Sequence, residues 1–279
     1  MSASGLSRNG ITMRFIRKLQ DLTRIERTLW GQRGVSLRHK IEFAVSRLLL
    51  LAGGKSVLWL GRWMESDNRL GLLLLPEYID EAASLVALAQ ITSADIVVDV
   101  GANIGQFATA ISHVAGCRVV SIEANPQIVS ILRRNVGAIS GITVVQAAAG
   151  SRAEERIHYS VMGKSAQGSF VKDRAVENVA GCIEETSLSV VRLADVMAEV
   201  GLGGIAIKCM KIDTEGTEED VLAGCGGLAI ESFQIEIDSR EEGQRQRIED
   251  HVAMLLGRRP RVCVARGSGS SVVTNVVFV

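Results

Sequence analysis

Proline and aromatic residues are scarce in this sequence: three prolines in 279 residues, with Phe, Trp and Tyr together at 4%. A core short of rings has to be built from Val, Ile, Leu and Ala, which suits a buried parallel sheet covered on both faces. No repeat and no low-complexity tract is present. Cys117, Cys182, Cys209, Cys225 and Cys263 include no CxxC pair and no Cys/His cluster. An odd count without ligand spacing speaks against a disulfide framework or structural zinc and predicts reduced, cytosolic thiols.

Long apolar runs are missing too. Leu48–Leu60 holds Lys55 and two glycines, well short of the ~20 residues a membrane span needs. A second run, Leu70–Leu75, stops at Pro76. Both predict buried helical segments and no transmembrane span. The first ten residues are polar and no cleavage pattern follows an apolar run, so no signal peptide is read and a cytoplasmic protein is expected. Net charge is zero, yet residues 1–80 carry 13 Lys/Arg against 7 Asp/Glu, leaving residues 81–279 at −6. A basic arm beside an acidic body argues against a nucleic-acid binder, whose basic footprint should include the binding domain.

What is present, at 47% hydrophobic and 22% charged, is the balance of a globular protein. Two parts are expected: a helical N-terminal arm over 1–80 and one α/β domain over 81–279. Residues 1–10 read as frayed. Ile11, Phe15, Leu19, Leu22, Ile25 and Leu29 recur every three or four residues, predicting an amphipathic helix over 11–30 whose other face carries Arg14, Arg17, Lys18, Arg24 and Arg27. Ser36–Leu51 gives a second helix.

From about residue 80, short apolar runs alternate with helical segments, the texture of βαβ units. Helices are expected at 80–90, 104–114, 126–137, 193–200, 217–224 and 240–257. Strands are expected at 96–100, 118–122, 142–146, 206–212, 232–237, 261–266 and 272–279. The turn-rich Gly267–Ser271 allows only an antiparallel closing pair. Residues 151–190 are less regular, with a hairpin around Arg156–Val161 and a glycine-bearing loop at 163–170.

Three stretches carry chemistry. In Val97-Val-Asp-Val-Gly-Ala-Asn-Ile-Gly105 an apolar strand ends in Asp99, turns through Gly101 and enters a helix. A glycine there permits close ligand approach, and the helix start offers free N–H groups. A dinucleotide pyrophosphate needs the denser Gly-x-Gly-x-x-Gly cradle, absent here. Glu123 ends the next strand, where a carboxylate can accept hydrogen bonds from both ribose hydroxyls. Lys211-Ile-Asp-Thr-Glu-Gly-Thr-Glu218 brings Lys211, Asp213 and Glu215 to the carboxyl end of a central strand, with Thr217 placed to cap the next helix.

Together with Glu123-Ala-Asn-Pro126, Ala148-Ala-Gly150 and Phe233-Gln-Ile-Glu-Ile237, these stretches resemble the FkbM-type methyltransferase family over roughly residues 95–240. Glu-Ala-Asn-Pro stands where Glu-Pro-x-Pro is usual, but Glu123 and Pro126 remain. The resemblance implies a Rossmann-like class I methyltransferase fold, a seven-stranded, mostly parallel sheet with a terminal antiparallel hairpin. It implies S-adenosylmethionine as cofactor and a hydroxyl of a sugar, glycan or secondary metabolite as acceptor. Asp99, Gly101, Ala102, Asn103 and Gly105 would hold the methionine end, Glu123 and Ala124 the ribose, and Gln146 and Ala148 would lie beside the adenine. Lys211, Asp213 and Glu215 would sit by the transferred methyl.

A hydroxyl acceptor has to lose a proton. Asp213 is the first candidate base or metal ligand and Glu215 the second, and Glu236 on the next strand can join them. Three carboxylates at neighbouring strand ends can hold Mg²⁺. Equally, Asp213 and Glu215 can simply pair with Lys211. His158 falls in the irregular insertion, where a substrate-facing base can sit. Two rival functions stand beside this one: a non-catalytic cofactor-binding scaffold, and an NAD-dependent oxidoreductase, which the glycine loop disfavours. The basic arm can touch anionic lipid, form a homo-oligomer face or lid the site; packing on the body or a sister subunit is its plainer reading.

Overall fold

This computed structural model describes residues 26–66, 69–161, 164–172, 183–238, 242–264 and 273–279. The expectations for residues 1–25, for Cys182 and for the turn Gly267–Ser271 fall outside them. The strands, in chain order, are β1 (Ser56–Trp59), β2 (Arg62–Glu65), β3 (Ile96–Val100), β4 (Arg118–Glu123), β5 (Ile142–Gln146), β6 (Ala148–Gly150), β7 (Glu154–Val161), β8 (Lys164–Ser169), β9 (Ile183–Arg192), β10 (Cys209–Ile212), β11 (Phe233–Asp238), β12 (Val262–Val264) and β13 (Val273–Phe278).

Seven of them form one sheet in the order β12-β13-β11-β10-β3-β4-β5. β10, β3, β4, β5 and β11 run parallel, while β13 is antiparallel to both β11 and β12. This is the Rossmann-like layout, with the expected antiparallel pair at one end. Every residue of β3 and β10 is buried, as β-branched and apolar strands must be when helices cover both faces. Alternation sorts the side chains into two cores. Val97, Val119, Cys209 and Val277 point into one, which the helices Leu37–Leu51, Leu75–Ala89 and Gln106–Ala115 cover. Val98, Val120, Met210 and Phe278 point into the other, under the helices Leu193–Glu199, Glu218–Ala223 and Gln244–Leu256.

Sequence expectation and structure part at three places. Leu48–Leu60 is not helical throughout. The helix stops at Leu51, the chain turns at Gly53 (φ +95°), and Ser56–Trp59 begins an antiparallel hairpin with β2. Pro76 starts a helix rather than ending one, lying in the first turn of Leu75–Ala89, where a missing N–H costs nothing. The third difference lies in residues 148–192, where β6, β9, β7 and β8 make a second, four-stranded sheet in that order. The expected glycine loop at 163–170 is there strand β8, and residues 162–163 lie outside the described part.

The stretch before residue 81 holds the hairpin as well as helices. Its Leu29, Val35, Phe43, Val57, Trp59 and Met64 share one core with Val97, Ile104 and Phe107. Phe43 meets Trp59 edge to face at 4.9 Å. Among the described residues no helix is long and apolar enough to cross a membrane.

Candidate active site

Strand order reverses between β10 and β3, and open α/β sheets bind ligands at the carboxyl ends beside such a switch. A cavity of about 220 Å³ opens there. The tips of β3, β4, β10 and β11 reach it, and the small sheet and the helix Leu75–Ala89 add wall residues.

Gly101 makes the close approach of two tips possible. Its φ is +84°, and a Cβ on it would lie 1.8 Å from the carbonyl oxygen of Asp213. The amide of Asp213 in turn donates to the carbonyl of Val100 at 3.0 Å. The β4 tip is tied in through Glu123. One carboxylate oxygen accepts from the amide of Asn103 and the other from that of Asn125, both at 2.9 Å. Asn125 also caps the helix Pro126–Val136 through Gln127 N–H, which accounts for the Asn in Glu-Ala-Asn-Pro. Burial holds the Glu123 carboxyl above its ordinary range against these hydrogen bonds.

Below the tips runs a row of buried polar side chains. Asp99, Lys211 and Gln234 are register partners on adjacent strands and so share a face. Lys211 Nζ lies 2.7 Å from Asp213 Oδ2, 3.9 Å from Asp99 Oδ1 and 5.4 Å from the centre of the Phe107 ring. Burial alone would lower the Lys211 pKa, but Asp213, Asp99 and Glu81 outweigh it, so the ammonium keeps its charge. Asp99 is fully buried and neither of its oxygens takes a hydrogen bond. That desolvation, with Asp213 and Glu81 near, pushes its pKa up to about 7 although Lys211 pulls the other way.

The loop after β10 is shaped by Glu218, whose Oε1 accepts from the amides of Thr214 and Gly216 at 3.0 Å each. Thr217 occupies the N-cap position expected of it but makes no side-chain cap bond. Glu215 adopts a left-handed φ of +56°, and its carbonyl accepts from Ser169 Oγ at 2.6 Å. One oxygen from each of Asp213, Glu215 and Glu236 comes within 4.8 Å of the others. Burial first, then Asp213, Glu215 and Glu218, push Glu236 up to about 10.

Of the residues singled out from sequence, Asp99, Gly101, Ala102, Asn103, Glu123, Ala124, Lys211, Asp213, Glu215 and Glu236 line this cavity. Gly105, Gln146 and Ala148 do not. Gly105 has no room for a Cβ because Val136 and Leu132 press on it, at 2.7 and 2.8 Å from where that atom would lie. Alternation turns Ala147 and Ala149 towards the cavity in place of Gln146 and Ala148; Gln146 is exposed and Ala148 buried elsewhere. Sequence reasoning missed Tyr78 and Gln106. Tyr78 precedes every motif, and no spacing in the arm points to it. His158 does line the cavity, 5% exposed, edge-on to Phe170 and seated against Gly168, where a Cβ would lie 2.4 Å from its ring.

An α/β sheet of this order with such a crevice over its switch point is the Rossmann-like layout on which S-adenosylmethionine-dependent methyltransferases are built. The family follows from the Methyltransferase FkbM domain model, which matches residues 99–260. The chain belongs to the FkbM methyltransferase family. No curated protein matches it. Among solved structures it is similar to fibrillarin of Aeropyrum pernix in complex with S-adenosyl-L-methionine, with 11% identity, 72% of this chain and 76% of that one covered, and TM-score 0.43. It is also similar to an O-methyltransferase from Bacillus cereus in complex with SAH, at 11% identity, 73% and 80% coverage and TM-score 0.42. The family match, and not these distant likenesses, carries the assignment.

Proposed function

We propose that this methyltransferase acts on oxygen, taking a hydroxyl of a sugar, glycan or secondary metabolite as its acceptor. The carrying observation is the set of proton-accepting groups around one cavity: Asp213 and Glu215 after the β10 tip, with Glu236 beside them held protonated by burial, and His158 on β7 of the small sheet. An amine is nucleophilic as it stands, whereas an alcohol needs its proton removed as it attacks.

The lining fits S-adenosylmethionine, which supplies the electrophilic methyl when bound. Five acidic side chains (Asp99, Glu123, Asp213, Glu215, Glu236) face the cavity against the single ammonium of Lys211, with Glu236 held protonated by burial. Such a field favours a cation bearing an ammonium and a sulfonium and opposes a pyrophosphate, which argues against the NAD-dependent reading. The unsatisfied, buried Asp99 carboxylate suits an ammonium partner. Asp99, Gly101, Ala102 and Asn103 would hold the methionine end, and Glu123, fixed by two amides, the ribose beside Ala124. Ala147 and Ala149 offer small apolar side chains to the adenine.

Lys211 holds Asp213 in place by its 2.7 Å ion pair, and Asp213 is the foremost proton acceptor, with Glu215 behind it. Mg²⁺ has its place in the same reading: the oxygens of Asp213, Glu215 and Glu236 are hard ligands in one cluster, and a divalent ion there would ease loss of the acceptor's proton. A scaffold without catalysis would need none of these acids.

Calorimetry with S-adenosylmethionine should show binding, and Glu123→Ala should abolish it. Labelled methyl should pass to alcohol acceptors, and Asp213→Asn should lower kcat by about 10²–10⁴-fold with cofactor affinity kept. Tight NADH binding without sulfonium binding, or transfer to amines alone, would overturn the reading. Loss of rate in EDTA, restored by Mg²⁺, supports the metal; an unchanged rate removes it.

A further inference from the structure

The helix Leu37–Leu51 is amphipathic in the unusual sense. Its inner face carries Lys40 and Ser46 along with Phe43 and Leu50, all buried. Lys40 Nζ is satisfied by the carbonyls of Trp30 and Gln32 at 3.1 and 2.7 Å, and Ser46 Oγ receives the amide of Leu58 at 2.8 Å. Its outer face is apolar. Leu37, Ile41, Val45, Leu48 and Leu49 are each 46–66% exposed, and Trp30, beside the helix start, is 47% exposed. The spacing of four, four and three from Leu37 to Leu48 makes one continuous stripe, more than scattered surface residues account for.

Charge decides what such a stripe meets. Between residues 26 and 69, Glu26, Glu42 and Glu65 are ion-paired, to Arg47, Arg38 and Arg134. Arg27, Arg33, Lys55 and Arg69 are exposed and form no ion pair with a described residue. Arg33 precedes the stripe by four residues and Lys55 follows the helix by four. The sequence before Glu26 adds Arg8, Arg14, Arg17, Lys18 and Arg24 against Asp21. An apolar stripe with a tryptophan, bounded by cations that pair with no described residue, has the composition of a helix that lies in a lipid interface. Two such faces brought together would repel each other, which disfavours a second copy of this chain.

We propose that the outer face of Leu37–Leu51 docks on an anionic phospholipid bilayer, the stripe entering the headgroup boundary and Arg33, Lys55 and their neighbours meeting lipid phosphates and carboxylates. This surface lies outside the catalytic cavity and its assignment does not depend on the acceptor.

Vesicle co-sedimentation of the full chain tests it, using phosphatidylcholine with and without phosphatidylserine. The chain should bind the phosphatidylserine vesicles, weaken with added salt, and leave neutral vesicles largely unbound. Arg33→Gln with Lys55→Gln should weaken binding about thirtyfold, each charge near an anionic leaflet contributing a factor of about five. Ile41→Asp with Val45→Asp changes only exposed positions and should abolish binding, with the far-ultraviolet spectrum and S-adenosylmethionine affinity unchanged. No partition to either vesicle, or binding that survives Ile41→Asp with Val45→Asp, overturns the proposal. Lipid-free dimers in sedimentation velocity that this double variant splits would overturn it in favour of self-association.

Discussion

Gly101 and Gly105 sit four residues apart in one loop, yet an added methyl would meet different obstacles at each. At Gly101 the obstacle is backbone, the Asp213 carbonyl at 1.8 Å, and φ is +84°. At Gly105, φ +89°, the obstacles are the ends of two side chains, Val136 and Leu132, which can shift. Gly101→Ala should therefore part the β3 and β10 tips and remove cofactor binding. Gly105→Ala should cost about 1–3 kcal/mol of stability by overpacking and about as much again for an L residue at positive φ, and keep most of the affinity. Denaturant midpoints and calorimetry on the two variants separate the cases. Equal affinity in both would show that the tips need not touch.

The small sheet is the element that brings His158 to the cavity. Its inward residues on β7 alternate: Arg156 donates to Asp220 at 2.6 Å, clamping the sheet to the helix Glu218–Ala223, and His158 lies two residues on. Burial holds the His158 pKa below its ordinary 6.5. The folded state thus prefers neutral imidazole. Stability from this group is complete above the unfolded pKa and is lost as pH falls towards the folded one. The wild type should lose stability between about pH 7 and pH 5 more steeply than His158→Gln, a histidine effect in that range. Coincident unfolding curves for the two across that range would show that His158 titrates alike folded and unfolded.

The same sheet shows where sequence stops being informative. The parallel strands were legible because burial on both faces leaves unbroken β-branched runs such as Ile96–Val100. The site acids were legible because they end those runs. β9 was not: Ile183–Arg192 carries Glu184, Glu185, Thr186, Ser187 and Ser189, mostly exposed, and is a strand through pairing with β7 and β6. The alternation that turns Ala147 and Ala149 inward needs the exact strand phase, which a one-residue uncertainty reverses. Tyr78 reaches the cavity only through the packing of the helix Leu75–Ala89 on the sheet, a contact distant in sequence.

At the scale of the whole molecule, the boundary expected near residue 81 does not separate two cores. Phe43 and Trp59 belong to the same apolar cluster as Ile104 and Phe107, so a fragment 81–279 would uncover apolar side chains on one side of its sheet. It should fail to melt cooperatively, while the full chain should do so in one transition. Phe43→Ala in the full chain should cost about 3–5 kcal/mol. A well-dispersed, cofactor-binding 81–279 fragment would establish the arm as a separable unit.

β13, the last strand in sequence, lies between β11 and β12 and pairs with both. While the chain is still threading through the ribosome, the β11 edge has no mate, and Val262–Val264 has nothing to lean on. Vectorial folding can complete the glycine turn and the acid tips early, but this flank stays unzipped until residues 273–278 have emerged. A nascent methyltransferase is thus able to meet its cofactor before its own sheet is sealed.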